Sequence, residues 1–424
     1  MKARISILLL LAAFPSSVFA LGFRLVDHGA EAMARAGAFV ATADNPSALY
    51  YNQAGITQLD GFGVLVNTYG IGFESTVDSH VPGPDLDSKF GIDVLGDAFF
   101  TWKRKDQPVA LGLGFYSPFG LGYEFPDDAA FRTIGKKGKI QMFTANPVIA
   151  LQVTRQLSLA VGMSINYSRA KLTRGIVTPG DEFSVEGAGV GYGVTAGLLW
   201  QPAKQHSFGV QYFGPIDVTY SGHARTRIPG FTAQVPVAPG ITIPFDVPRL
   251  ENEEDADIKI QFPQTITAGY SFRPTDDWNF EVDVSWTDWD SLNSPTLHLS
   301  ENLDAPVVFN FRSSFIYEFG VTRKFANGWS ASAGYLYSEN SVPNESFGPL
   351  IPDSDRHVFS IGVGRTYEHW NWYLGYQYAY GPHRNISRAP LLGEGSFGDR
   401  PRSLADGNYR FQAHAFSLSM GYSF

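Results

Sequence analysis

The chain has no cysteine among its 424 residues, which excludes disulfides and a thiolate nucleophile. Charge is scarce as well: Asp, Glu, Lys and Arg make up 17% of the sequence, below the quarter or so usual in soluble domains. No run approaches the ~20 consecutive apolar residues of a membrane helix, so a helical membrane protein is excluded. The nine histidines are scattered, without an HxH or HExxH pair, which points away from a metal site. No nucleotide fingerprint is present, so no cofactor and no energy coupling are expected. Gly187-x-Gly189-x-Gly191 matches a phosphate loop by letter only. It opens a strand rather than a helix, and reads as close packing within a sheet. The acidic balance, net charge -9, gives the chain no general affinity for nucleic acid.

What is present is aromatic and glycine-rich, with 14% Phe, Trp and Tyr and 44 glycines. Residues 1–20 read as a secretory signal: Lys2 and Arg4, the apolar stretch Ile5 to Phe14, and a cleavage site at Val18-Phe19-Ala20. Its removal takes two positive charges away and moves the net charge from -9 to -11. From residue 61 onward, period-two segments recur at 61–75, 90–103, 108–119, 140–153, 157–170, 186–200, 206–222, 258–272, 278–289, 308–324, 329–340, 356–367, 371–381 and 411–424. In 157–167, Leu157, Leu159, Val161, Met163, Ile165 and Tyr167 alternate with Ser158, Ala160, Gly162, Ser164 and Asn166. One face therefore suits lipid and the other is polar or small. The connections alternate long and short, as the external loops and periplasmic turns of an outer-membrane barrel do. Phe416, Leu418, Met420, Tyr422 and Phe424 share one face of the last segment. That is the pattern expected of a strand read by the barrel-insertion machinery, or simply of a last strand with an apolar face.

Residues 21–60 lack the alternation and are rich in alanine, so they fit the lumen of a barrel, where bulky side chains would clash. Glu31 to Val40 reads as a short helix, and Asp44-Asn45-Pro46-Ser47 as a turn or a cap followed by one helical turn. A disordered periplasmic leader is the alternative. Gly22-Phe23-x-Leu25, Ala34-Arg35-Ala36-Gly37 and Ala43-Asp44-Asn45-Pro46-Ser47-Ala48 through Asn52-x-Ala54-Gly55 resemble the N-terminal hatch of the FadL family, outer-membrane transporters of long-chain fatty acids and other hydrophobic molecules. Where the family's hatch carries Asn-Pro-Ala, this chain has Asn52-Gln53-Ala54. Ser117-Pro118-Phe119-Gly120-Leu121 resembles the kinked third strand of that family, where the resemblance implies a gap in the wall and lateral exit of ligand. Tyr167-x-Arg169-Ala170-Lys171-x-x-Arg174, Phe262-Pro263, Trp278, Thr287-x-Trp289, and Val342-Pro343 continuing to Ile351-Pro352-Asp353-x-Asp355-Arg356 extend the likeness over the mature chain.

Several charged residues are candidates for ligand contact. With Phe309, Phe311, Phe315, Tyr317 and Phe319 turned to lipid by parity, Arg312 and Glu318 face inward. Arg312 suits a carboxylate held bidentately, and the resemblance implies a basic ligand residue there; an Arg312–Glu318 ion pair is the alternative. Arg169 and Arg174 resemble the family's basic patch near the ligand, although alternation turns Arg169 and Lys171 outward, toward lipopolysaccharide phosphates. Arg356 faces inward by parity, and Asp353 and Asp355 beside it read as a loop clamp. The acidic run from Glu251 to Asp257 reads as a solvated loop within 223–257, or as a cation site bridging lipopolysaccharide.

The expectation is an all-β transmembrane antiparallel barrel of about fourteen strands (61–424), plugged by an N-terminal hatch (21–60), that passively takes up hydrophobic molecules. Long-chain fatty acids lead, and neutral aliphatic or aromatic hydrocarbons are the alternative ligands. A general porin would need facing rows of lumenal charge. A lipid hydrolase would need a Ser–His pair, and His414 and Ser417 fall on opposite faces by parity.

Overall fold

The computed structural model describes residues 23–80, 86–88, 91–176, 180–238, 241–292, 295–299, 303–307, 309–387 and 402–424. The signal segment lies outside them. Fourteen antiparallel strands form the wall: β1 (Gly61–Ser79), β2 (Gly91–Lys103), β3 (Val109–Tyr116 and Gly120–Glu124), β4 (Lys137–Gln152), β5 (Leu157–Arg174), β6 (Glu182–Ala203), β7 (His206–Phe213 and Ile216–Ile228), β8 (Leu250–Phe262 and Thr265–Thr275), β9 (Trp278–Thr287), β10 (Ser314–Lys324), β11 (Trp329–Ser338), β12 (Arg356–Tyr367), β13 (Trp370–Ile386) and β14 (Gly407–Ser423). Each pairs with its neighbours in sequence. β14 returns to β1 in unbroken register, from Gly63 opposite Ser423 to Ser79 opposite Gly407, so the sheet has no free edge.

Closure without an edge satisfies the backbone internally, as hydrocarbon requires. The side chains are sorted in the opposite sense to a soluble sandwich. On β5, Ser158, Ser164 and Asn166 are buried while Val161 is 60% exposed. Connections at one end are short, at 104–108, 153–156, 204–205, 276–277, 325–328 and 368–369. The opposite end carries the long ones, so in an outer membrane the first end faces the periplasm.

Two expected strand limits are corrected. β10 begins at Ser314 rather than 308, because Asn310 turns the chain with φ 47. The parity that placed Phe309 and Phe311 in lipid therefore fails, and Phe311 is buried against Trp289, ring centroids 6.2 Å apart. The stretch 223–257 is not a loop: β7 and β8 continue as a ribbon from Ile216 opposite Phe262 to Ile228 opposite Leu250. The acidic run sits on that ribbon and pairs across it, Arg225 with Glu253 at 2.8 Å, His223 with Asp255 at 3.2 Å and Lys259 with Asp217 at 2.8 Å. The ribbon is tipped by the hairpin Phe231–Ala238 and Ile241–Val247.

Inside the barrel lies the segment 23–59, with helices α1 (Ala30–Ala34) and α2 (Ala48–Tyr51) and a 3-10 turn at Gln53–Gln58. α1 is shorter than the expected Glu31–Val40 helix, because Ala36 and Gly37 take positive φ of 54 and 89 and turn the chain back. The Asn45 side chain accepts from Ser47 N at 2.8 Å, closing the expected turn. Nearly all of the segment is buried, its alanines fully so. It joins β1 at the short-turn end, where Lys103 on β2 meets Asp60 at 2.6 Å.

Candidate functional site

The inner segment is tied to the wall by charge and by its own backbone. β9 supplies two carboxylates on its inward face. Asp283 accepts from the consecutive amides of Phe39 and Val40, at 2.8 and 2.9 Å. Glu281 accepts from Ala41 N at 2.6 Å, from the Thr42 hydroxyl, and from Arg35 at 2.7 Å, the ion pair being fully buried. On the other side, His28 Nδ1 lies 3.0 Å from Asp97 of β2, which also accepts from Asn67 at 2.8 Å.

Asn52-Gln53-Ala54 anchors the same segment to three strands. Asn52 donates to Val40 O and Leu198 O, at 2.8 and 2.9 Å, while its carbonyl accepts from Ala54 N at 3.2 Å. Gln53 donates to Asn146 at 2.6 Å and accepts from Thr195 at 2.8 Å. Its backbone N–H reaches Gln211 at 3.1 Å, a bond that proline at this position would forfeit.

The third strand breaks at Ser117-Pro118-Phe119. Phe23 and Leu25 bond across the break, Leu25 N to Pro118 O and Gly120 N to Phe23 O, both 2.9 Å. Phe23 packs edge-on against Phe262 and Trp289, at 5.7 and 4.9 Å. β2 pairs with β3 only over Ala98–Lys103, so Gly91–Asp97 keep β1 as partner and have no register partner on β3. Beneath the break lies a small void of about 20 Å³, bordered by Tyr50, Tyr116, Phe119, Phe213 and Pro263 and by the polar Arg24, Thr144, Asn166 and Thr265.

Above it, under the long connections, is a packed apolar cluster with one polar centre. Phe73, Tyr123, Phe131, Leu350 and Phe411 belong to it. Arg356, only 1% exposed, stacks its guanidinium 3.3 Å from the Phe411 ring centroid. Its Nη2 reaches Pro352 O at 3.5 Å, the Tyr123 hydroxyl lies against the same guanidinium, and Nε and Nη1 make no well-formed hydrogen bond among the described residues. An arginine buried with poorly satisfied N–H donors is costly. The adjacent clamp is built by other groups. Asp353 accepts from Ser341 N and Oγ at 2.6 and 2.9 Å, Asp355 from Asn340 N at 3.0 Å, and Arg384 donates to Asp353 O and Val342 O at 2.5 Å. Burial pushes the Asp353 carboxyl above its ordinary value, with Arg356 pulling it back.

The three expected carboxylate ligands lie elsewhere. Arg312 does not face the lumen. It is exposed on an outer cleft of about 400 Å³, with Asn340, Asn344, His383 and Arg384, because the chain there precedes β10. Glu318 is buried deep in the barrel, against Gly37 of the inner segment, so the Arg312–Glu318 pair does not form. Arg169 is exposed and donates to its neighbour Tyr167 at 2.6 Å. Arg174 lies over the Phe183 ring at 5.4 Å. His414 is exposed and bonds Tyr376 at 2.8 Å, whereas Ser417 is buried and bonds Asn67 at 2.7 Å. Sequence reasoning missed Tyr123 and Arg384, and gave Arg356 only a clamping role.

A model of the family "Outer membrane protein transport protein (OMPP1/FadL/TodX)" matches residues 11–424. The chain belongs to this family. Among FadL/TodX relatives, the long-chain fatty acid transport protein of Escherichia coli O6:H1 is 22% identical over 59% of this chain, spanning 61% of that protein. Outer membrane protein P1 of Haemophilus influenzae is 22% identical over 81% of this chain and 76% of its own length. Two solved FadL/TodX structures share the fold: a Pseudomonas aeruginosa FadL homologue (TM-score 0.78, 18% identity, 95% of this chain and 100% of that one) and the Pseudomonas putida toluene transporter TodX (TM-score 0.73, 16% identity, 94% and 99%). This FadL/TodX protein is an integral outer-membrane β-barrel for transport.

Proposed function

We propose that the protein takes up long-chain fatty acids, and that Arg356 with Tyr123 holds the carboxylate while the alkyl chain lies among Phe73, Phe131 and Phe411. The observation that carries this is the buried guanidinium, with two donors lacking a well-formed hydrogen bond, beside Tyr123 and an apolar cluster. Arg312, on the outer cleft, makes the first contact with the anionic head. Its loss slows capture more than it weakens final binding, as for a rim charge. Arg169 and Lys171, turned outward, and Arg174 at the rim face lipopolysaccharide phosphates. Movement of the inner segment then opens the way, and the unpaired edge of β2 beside the β3 break is the assigned exit.

The test is binding of a long-chain fatty acid and of the alkane of equal length. Arg356→Ala should weaken the acid by about 1.5–3 kcal/mol, the range for a charge-assisted hydrogen bond. The alkane should lose almost nothing, since its binding follows buried apolar area. Equal losses for both, with heat-modifiable mobility unchanged, would remove Arg356 as the head-group site. A second reading, uptake of neutral aromatic hydrocarbons, draws support from the aromatic rings of Tyr50, Tyr116 and Phe213 around a small void that would widen to admit a ring. Under that reading the alkane and toluene bind, and Arg356→Ala changes neither.

A further inference from the structure

β6 and β7 are paired at both ends of their contact but not in the middle. Glu182–Ala188 pair with Ser221–Arg227, and Thr195–Trp200 with Phe208–Phe213. Between them, one backbone bond crosses, Gly214 N to Val194 O at 2.8 Å; otherwise residues 189–194 of β6 have no register partner on β7, and 214–220 of β7 have none on β6. The β7 side is one residue longer, and it lies across the inner face of β6. Tyr220 reaches over to the Ser168 hydroxyl on β5, at 2.7 Å, and Ile216, Val218 and Tyr220 are buried.

Glycine makes the overlap possible. A Cβ on Gly191 would stand 2.6 Å from Asp217 O, and one on Gly189 would stand closer still to Thr219 O. Carbonyls of β7 therefore meet Cα–H groups of β6 where a wall strand would offer N–H. Such contacts are weak substitutes for ladder hydrogen bonds, and backbone groups left unpaired in hydrocarbon cost more than these contacts return. On its other edge, β7 meets β8 through two opposed prolines, Pro215 and Pro263, between the rungs Phe213–Thr265 and Ile216–Phe262.

Both breaks border one small void of about 20 Å³. Phe213, Gly214 and Ile216 line it on this side, Pro118 and Phe119 on the other. Outside the joint, Val190, Tyr192 and Val194 are 49%, 64% and 62% exposed, an apolar approach from lipid. We infer that the overlapped β6–β7 joint is a second lateral passage, through which one alkyl chain or aromatic ring moves between the lumenal void and the surrounding lipid. Gly189-x-Gly191 is then a sliding contact that closes when no chain is in transit. The inference rests on the transport reading above.

The absence of native cysteine allows a clean test in the full-length protein, in membranes. Ala188→Cys with Ser221→Cys joins register partners at the upper limit of the joint. Antiparallel partners stand ~4.5–5.5 Å apart at Cα, within disulfide reach. Ala331→Cys with Val363→Cys does the same across the continuous β11–β12 pair. Uptake of a fluorescent long-chain fatty acid is measured oxidised and reduced. Oxidation should cut uptake several-fold through the first pair, reversibly with dithiothreitol, and leave the control pair unchanged. Gly191→Ala, which wedges β7 away from β6, should change uptake in the opposite direction, with folding checked by heat-modifiable mobility. Equal uptake by the oxidised and reduced first pair overturns the passage. Absence of uptake in every form, wild type included, overturns the transport reading and the passage with it.

Discussion

Arg35 and Glu281 form a buried pair that is costly to leave half-made. Each is fully buried, and Glu281 also holds Ala41 N and the Thr42 hydroxyl. Glu281→Leu alone should strand the guanidinium and cost about 3–5 kcal/mol of inner-segment stability. Replacing both, with Arg35→Met, should recover much of that loss. The checking measurement is protection of the segment from protease in the folded barrel; full protection in the single variant would show that the pair holds nothing. Gln53 poses the milder case. Gln53→Pro removes one amide bond to Gln211 and should cost roughly 1 kcal/mol, read as a small rise in the same digestion rate.

At the scale of elements, the inner segment and the irregular strands carry the function. Deleting Phe23 to Gln58 should leave an inserted barrel with much larger single-channel conductance, because 23–59 fill the lumen. Unchanged conductance would mean that water already passes around the segment. The regular strands were legible because period-two alternation and alternating loop lengths survive wherever one face meets lipid. They stop being legible where the membrane ends. Between residues 223 and 257 the β7–β8 ribbon carries mostly polar residues on both faces, with Arg225 and Glu253 paired in the open, so no periodicity marked that part as strand. The Phe309–Phe311 alternation imitated a strand that Asn310 prevents. The Arg356–Tyr123 centre was illegible for another reason. Its meaning lies in donors without a well-formed hydrogen bond, and that emerges only when residues 233 positions apart in the chain are brought together by β3 and β12.

For the whole molecule, the closing contact between β1 and β14 has a consequence for how the protein is made. Residues 61–79 meet 407–423, about the largest sequence separation the chain allows, and such pairings are slow to form. Everything that ends up in the lumen must be in place before that last seam is stitched, and the inner segment precedes β1 in the chain. Assembly is therefore a wrapping reaction around a cargo synthesised first. The carboxylates of β9 are available to receive residues 39–42 while the sheet is still an open, curling ribbon. A mutation such as Asp283→Asn, which weakens the hold on Phe39 N and Val40 N, would then also act as a kinetic defect and lengthen the lifetime of the half-curled intermediate on the insertion machinery.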